Sequence, residues 1–253
     1  MPDLDPHKPL IESTMPHLPP HLWFLITSLG GAGLTLPLAF AVALWLAIGY
    51  SWRLAAGWLF LLGVAVTLVT ATKVAFLGWG VGVHVWDFTG LSGHAMLATA
   101  VFPVAAFLVL LPAPPAVRAA GVALALFGGA LVSFSRVVLE AHSPSEAITG
   151  CIVGALTSLV FISIAWHATP GRLPVVPVLL SLMALALGLH NVHVPTHRWV
   201  THLALKVSGH VRPVDRARWK ALHDTEVPVP LLPRMQKTRN VAIPVAPLSD
   251  SDA

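Results

Sequence analysis

The chain has 253 residues, of which 56% are hydrophobic and 10% charged, and its mean hydropathy is +0.77. An ordinary soluble domain carries about a quarter charged residues. The composition therefore excludes a disordered chain, a coiled coil and a typical cytosolic enzyme, and points to a polytopic membrane protein. The formal charge is +4 and the pI about 9.7, but nine of the fifteen Lys and Arg residues lie after His190. With so much apolar sequence, that basic tail reads as membrane-surface or solubility chemistry, and no nucleic-acid partner is expected. Cys151 is the single cysteine, so no intrachain disulfide can form.

Residues 1–20 are polar and proline-rich and contain no apolar run. They predict a loose arm without a cleavable signal peptide, so the first hydrophobic helix is expected to direct insertion. Six apolar segments follow, at approximately 22–48, 54–77, 94–111, 117–138, 145–166 and 173–190. Crossing the hydrocarbon takes about 20 residues of helix. The first segment is long enough to tilt, and Gly30-Gly31-Ala32-Gly33 and Pro37 predict a kink in it. The last is short. Connections such as Tyr50–Arg53 and Leu111–Pro115 are short enough to join antiparallel neighbours. Backbone groups in lipid must be satisfied within a helix or a closed barrel. The runs lack strand alternation, so the reading is an all-α bundle of about six transmembrane helices. The domain division is a polar arm at 1–20, a transmembrane domain at 21–190 and a basic polar tail at 191–253. In that tail Thr196 to Lys220 predicts an amphipathic or surface helix, and the remainder reads as disordered. The nine tryptophans read mostly as an interfacial belt.

Between residues 22 and 190 there are eight formally charged side chains: Arg53, Lys73, Asp87, Arg118, Arg136, Glu140, Glu146 and Arg172. The helix count puts Arg53, Arg118 and Arg172 in loops on one side of the membrane. The other five fall in two segments, 73–94 and 135–146, on the opposite side, together with His84, His94 and His142. Ionisable groups at membrane depth are costly and tend to be functional. Read singly, each has a plain structural explanation. Ser143-Pro144-Ser145-Glu146 is a capping box with proline at the first helical position. Ser92 is a natural N-cap, Arg136 and Lys73 could be snorkelling cations, and Asp87 and Glu140 read as loop or pairing groups. His190, His193, His197 and His202 tempt a metal reading, but Pro195 breaks any regular face between them, and no metal is assigned.

The two segments read Lys73-Val74-Ala75-Phe76-Leu77-Gly78-Trp79-Gly80, with Leu91-Ser92-Gly93-His94, and then Ser135-Arg136-x5-His142-x3-Glu146. Together they resemble the type 2 phosphatidic acid phosphatase (PAP2) superfamily, whose pattern is Lys-x6-Arg-Pro, Pro-Ser-Gly-His and Ser-Arg-x5-His-x3-Asp. The resemblance covers about residues 54–166, and the third motif at its spacing is the specific signal. Gly80-Val81 stand where the family has Arg-Pro, Leu91 replaces a proline, and Glu146 replaces the aspartate. The family also places three helices before the first motif, where two are counted here.

The resemblance implies an integral-membrane phosphatase acting on a lipid phosphate or an isoprenyl (undecaprenyl-type) diphosphate, with no metal or other cofactor. It implies that His142 is the nucleophile and forms a phosphohistidine, that His94 protonates the leaving oxygen, and that Glu146 holds the His142 tautomer. Lys73, Arg136, Ser92, Gly93 and Ser135 would bind phosphate. The chemistry suits these types. A phosphoryl group needs its charge neutralised before attack, Arg offers a planar fork, Lys a point charge, and backbone N–H groups at a helix start suit an oxyanion. His142 and Glu146 stand four apart, the separation that places two residues on one helical face.

Two further readings stand beside this one. The absence of the first motif's Arg-Pro fits a weakened member that binds phosphorylated lipid without efficient turnover. A transporter would need polar groups deep along the helices, whereas these gather at one boundary. Vanadate-dependent haloperoxidase chemistry, found in mostly soluble relatives, is more distant. One Arg in each opposite-side loop places those loops in the cytoplasm by the positive-inside tendency. The site would then face the periplasm or exterior of a bacterial-type inner (plasma) membrane.

Overall fold

A computed structural model of the chain describes residues 19–167, 175–189, 192 and 194–224. The expected N-terminal arm, Arg172, His190, His193 and the end of the tail lie outside these residues. The described part is helical, and its one β feature is an isolated antiparallel bridge between Val83 and Phe88. The helices are α1 (Pro20–Leu29), α2 (Ala32–Gly49), α3 (Trp52–Trp79), α4 (Gly93–Leu110), α5 (Pro115–Val138), α6 (Pro144–Ala165), α7 (Val175–Leu189), α8 (Thr196–Ser208) and α9 (Arg216–Asp224).

The first apolar segment is more than kinked. It breaks into α1 and α2 at Gly30-Gly31, while Pro37 is carried inside α2. A Cβ on Gly30 would lie 2.5 Å from Val132 Cγ1 and 3.0 Å from the His94 carbonyl oxygen. Only glycine lets this corner sit against α4 and α5. α1 stays at one end of the bundle, where Trp23 packs edge-on against Phe134 at 5.6 Å and Thr27 accepts from Arg136.

Five stretches are long and apolar enough to cross a bilayer: His21–Gly49, Trp52–Trp79, Gly93–Leu110, Pro115–Val138 and Pro144–Ala165. α7, with 15 residues, is apolar but shorter. At 1.5 Å per residue it reaches about 22 Å, less than the hydrocarbon thickness of about 30 Å. The outward faces carry exposed Phe40, Phe60, Leu124 and Ile164, the reverse of a soluble protein and the surface a bilayer covers. The chain is therefore an integral-membrane helical bundle.

α4 is the central helix, packed against α2, α5 and α6. Small residues allow that closeness, as is usual between membrane helices. A Cβ on Gly154 of α6 would fall 2.2 Å from the Met96 carbonyl oxygen, and one on Gly150 would fall 2.6 Å from that of Ser92. Ser158 Oγ donates to the Thr99 carbonyl at 2.9 Å, which ties the same two helices. The contact at Gly150 sets the start of α4 beside the start of α6. Gly150→Ala is expected to destabilise the protein by about 1–3 kcal/mol, because backbone cannot step aside for the added methyl. A lowered melting temperature of the detergent-solubilised protein checks this.

Candidate active site

The capping box at the start of α6 forms as the sequence expects. Ser143 Oγ accepts from the Glu146 N–H, and the Glu146 carboxylate accepts from the Ser143 N–H at 3.2 Å. Glu146 does more than cap. It is wholly buried, and the same Oε2 lies 2.7 Å from His142 Nδ1. Its Oε1 accepts from the Thr89 backbone N–H at 2.7 Å and from the Thr89 hydroxyl. The cap and the imidazole contact coexist because His142 lies in the turn just before α6, within reach of a carboxylate at the third helical position. With Nδ1 tied to a carboxylate, the other ring nitrogen, Nε2, is left to carry the ring's reactivity. Burial, and beyond it the nearby Lys73 and Arg136 charges, holds the His142 imidazole below its ordinary pKa of 6.5, and the Glu146 contact opposes that shift.

Lys73 comes from the last turns of α3 and Arg136 from the last turn of α5. Both lie close enough to His142 to act on its charge, so the two sequence segments meet at one end of the bundle. The loop after α3 is laid directly on Lys73. Gly90 has φ +149°, and a Cβ there would meet Lys73 Cγ at 3.1 Å and the Lys73 backbone nitrogen at 3.3 Å. Leu91 N–H donates to Thr72 Oγ1 at 3.2 Å, which fixes the loop just before α4. A Cβ on Gly93 would stand 3.9 Å from Lys73 Nζ, so the start of α4 and the lysine ammonium share one space. Arg136 donates through Nη1 to Thr27 at 3.0 Å, and its buried Nε has no hydrogen-bond partner among the described residues.

Ser92 and Ser135 lie within helix contacts. Ser92 is buried, its Oγ caps Ala95 N–H at 3.5 Å, and its own N–H donates to the Glu146 carbonyl at 3.1 Å. Ser135 is buried and its hydroxyl donates to the Val132 carbonyl at 2.6 Å. Gly93 keeps its place at the helix start beside Lys73.

A cleft of about 530 Å³ opens beside these groups. His94 and Arg136 line it together with Thr27 and Ser28, and Phe24, Leu25, Leu139 and Val194 give it an apolar wall. A Cβ on Gly31 would be 3.9 Å from His94 Nε2, so the corner between α1 and α2 forms one side of the histidine's space.

Several groups at the site were not legible as such in the sequence. Thr89 falls within the charged segment 73–94, but nothing in its spacing marks it as a Glu146 partner. Asp87, read as a loop or pairing group, pairs with two cations of the tail: Arg216 at 2.9 Å and Lys220 at 2.6 Å. His84, which falls in the first charged segment, is stacked on Trp219 at 3.4 Å between ring centroids. Thr196 to Lys220 forms two helices separated by residues 209–215. Gly80, where the family motif has arginine, ends α3 at φ +72° and accepts from the Trp219 indole at 2.9 Å. No group of three or more His, Cys, Asp and Glu positioned to hold a metal occurs among the described residues.

The bundle thus brings a carboxylate-held histidine and two cations together at one end. The PAP2 superfamily model matches residues 76–170. The chain is also 38% identical over 141 residues to an uncharacterized 22.5 kDa protein in the cps region of Klebsiella pneumoniae, covering 55% of this chain and 68% of that protein. No solved structure matches. The chain belongs to the PAP2 superfamily, and at the level of that family it is a phosphatase.

Proposed function

We propose that this protein hydrolyses a phosphate monoester or diphosphate carried on a membrane lipid, through a phosphohistidine on His142. The observation that carries the reading is the 2.7 Å contact between His142 Nδ1 and the buried Glu146 carboxylate. With Nδ1–H donated to the carboxylate, Nε2 presents its lone pair to phosphorus. The P–N bond forms as the P–O bond to the leaving group breaks, and the His94 imidazolium gives that oxygen its proton. Water then attacks phosphorus, His94 takes a proton from it, and the P–N bond breaks, which restores His142 and releases phosphate. Lys73 and Arg136 neutralise the equatorial oxygens, which is where the electrostatic work of phosphoryl transfer lies. None of these steps calls for a metal.

The cleft supports a lipid substrate. A phosphate at His94 and Arg136 would have the apolar wall of Phe24, Leu25, Leu139 and Val194 beside it for its chain, and Phe24 and Leu25 are themselves more than half exposed. The test is phosphate release by the purified protein from a long-chain lipid phosphate, a long-chain isoprenyl diphosphate and a short water-soluble phosphate ester. Release from a lipid-borne substrate, unaffected by chelators, is expected. Activity that chelators abolish, or that is confined to the soluble ester, overturns the reading.

Arg136→Ala is expected to lower kcat by about 10²-fold or more, the scale of losing one preorganised donor at developing charge. Steady-state kinetics checks this. The neutral imidazole is the nucleophile, so kcat/KM falls as pH drops through the His142 pKa. Because that pKa is held below 6.5, the acid limb attributable to the free enzyme is expected below pH 6.5.

The site end is proposed to face the periplasm or exterior of a plasma membrane. The support is Arg53 and Arg118 at the starts of α3 and α5, the far end of the bundle, since long polar tails cross largely regardless of charge. A cysteine placed at position 140 should be labelled by an impermeant reagent in intact cells. Labelling only after permeabilisation would reverse the orientation.

A further inference from the structure

The C-terminal segment folds back onto the site end of the bundle and is held there at four places. Val214 N–H donates to the Leu77 carbonyl at 2.9 Å, and His210 Nδ1 lies 2.6 Å from that of Gly78. The Trp219 indole donates to Gly80 and stacks on His84, and its ring lies so close to Gly82 that a Cβ there would fall 2.6 Å from it. Lys220 pairs with Asp87. Asp215 caps the arm's last helix by accepting from Ala217 N–H at 2.7 Å and Arg218 N–H at 3.1 Å. The whole arrangement points one side chain inward. Arg216 bridges Asp87, at 2.9 Å to its carboxylate and 3.0 Å to its carbonyl, and the buried Glu146 carboxylate at 3.4 Å.

We propose that Arg216 is a positioning residue of the site: it shares Glu146 Oε2 with His142 and so keeps the imidazole neutral and fixed while the arm is docked. A carboxylate that pairs only with an imidazole favours the imidazolium, which cannot attack phosphorus. A guanidinium on the same oxygen draws part of that field away and disfavours a second cation beside it. The charges that face the pair are Lys73 from α3, His94 at the head of α4, Arg136 from α5, Glu146 itself from α6, Asp87 from the loop after α3, and Arg216 and Lys220 from α9. Asp87 anchors Arg216 and Lys220, and among the described residues of the arm Arg216 is the cation that reaches Glu146.

This role rests on the phosphohistidine reading, but its test does not depend on turnover. The probe is diethyl pyrocarbonate, which carbethoxylates neutral imidazole. Its rate at His142, read by mass spectrometry of the full-length protein across pH, gives the His142 midpoint directly. Arg216→Gln is expected to raise that midpoint by about half a unit to one unit, the effect of removing one half-exposed charge at this range. Arg216→Lys keeps the charge and should return the midpoint toward wild type. If phosphate release is found, the acid limb of kcat/KM should move in the same direction in each variant. An unmoved or lowered midpoint in Arg216→Gln, or Gln and Lys variants that behave alike, overturns the proposal. The absence of phosphate release with the midpoint shift intact would count against the catalytic reading alone.

Discussion

Replacing His142 by alanine is expected to abolish phosphate release, by about 10⁴-fold or more, with KM becoming unmeasurable before binding is lost. In the proposed mechanism the nucleophile is the one group that no neighbour replaces. His94 is placed on the cleft side, and the two cations carry no lone pair at neutral pH. Losses of this scale follow removal of a nucleophile from a preorganised site, where the remaining donors still supply a residual rate. The variant should fold, since His142 sits in the turn before α6 and the Ser143–Glu146 cap does not need its ring. Binding of a phosphorylated lipid by His142→Ala, with no release, is the expected pair of results. Release at near wild-type rate would end the phosphohistidine mechanism.

Glu146→Gln is expected to lower kcat by about 10²- to 10⁴-fold, the upper figure being that of a triad whose carboxylate becomes an amide. The amide can still accept from Ser143 N–H at the third helical position, so the helix cap is retained. What it loses is charge. It stabilises an imidazolium poorly. Because Oε1 also receives two hydrogen bonds from Thr89, the amide must satisfy donors with a donor, and a melting-temperature drop is expected as well. Glu146→Asp restores the family residue with a shorter reach and should retain more activity than Gln. Near wild-type turnover in Glu146→Gln would leave Glu146 as a cap only.

The bundle and the position of the site end were legible because they rest on local and additive quantities. Apolar runs near the length of a bilayer crossing, with few charges, leave a helix as the available structure, and counting helices sorts the charges to two ends. The pair His142 and Glu146 was legible for a similar reason: four residues of chain and a capping box bring them within reach with no help from the rest of the fold. That Glu146 serves both as cap and as imidazole partner was open in the sequence, since the choice depends on which way the His142 ring turns. Burial of the carboxylate and the Thr89 contacts decide it.

Other features depended on packing between distant segments. The Ser92 and Ser135 hydroxyls are engaged within their own helices, while the Ser92 N–H is taken by the Glu146 carbonyl where α4 and α6 close on Gly150. The first apolar segment has the length of a single tilted helix, and the bulk of Val132 and the His94 backbone opposite Gly30 turn it into two. Arg216 lies seventy residues from Glu146 in a segment whose composition reads only as basic and polar. No periodicity links them. The contact exists because α3 ends in a glycine turn on which Trp219 can rest, and resting there swings the guanidinium over the carboxylate. Hydrophobic length and short-range spacing are properties of the string of residues. Which polar groups are consumed by the scaffold and which remain for a substrate is a property of contacts between helices, and the tertiary structure alone decides it.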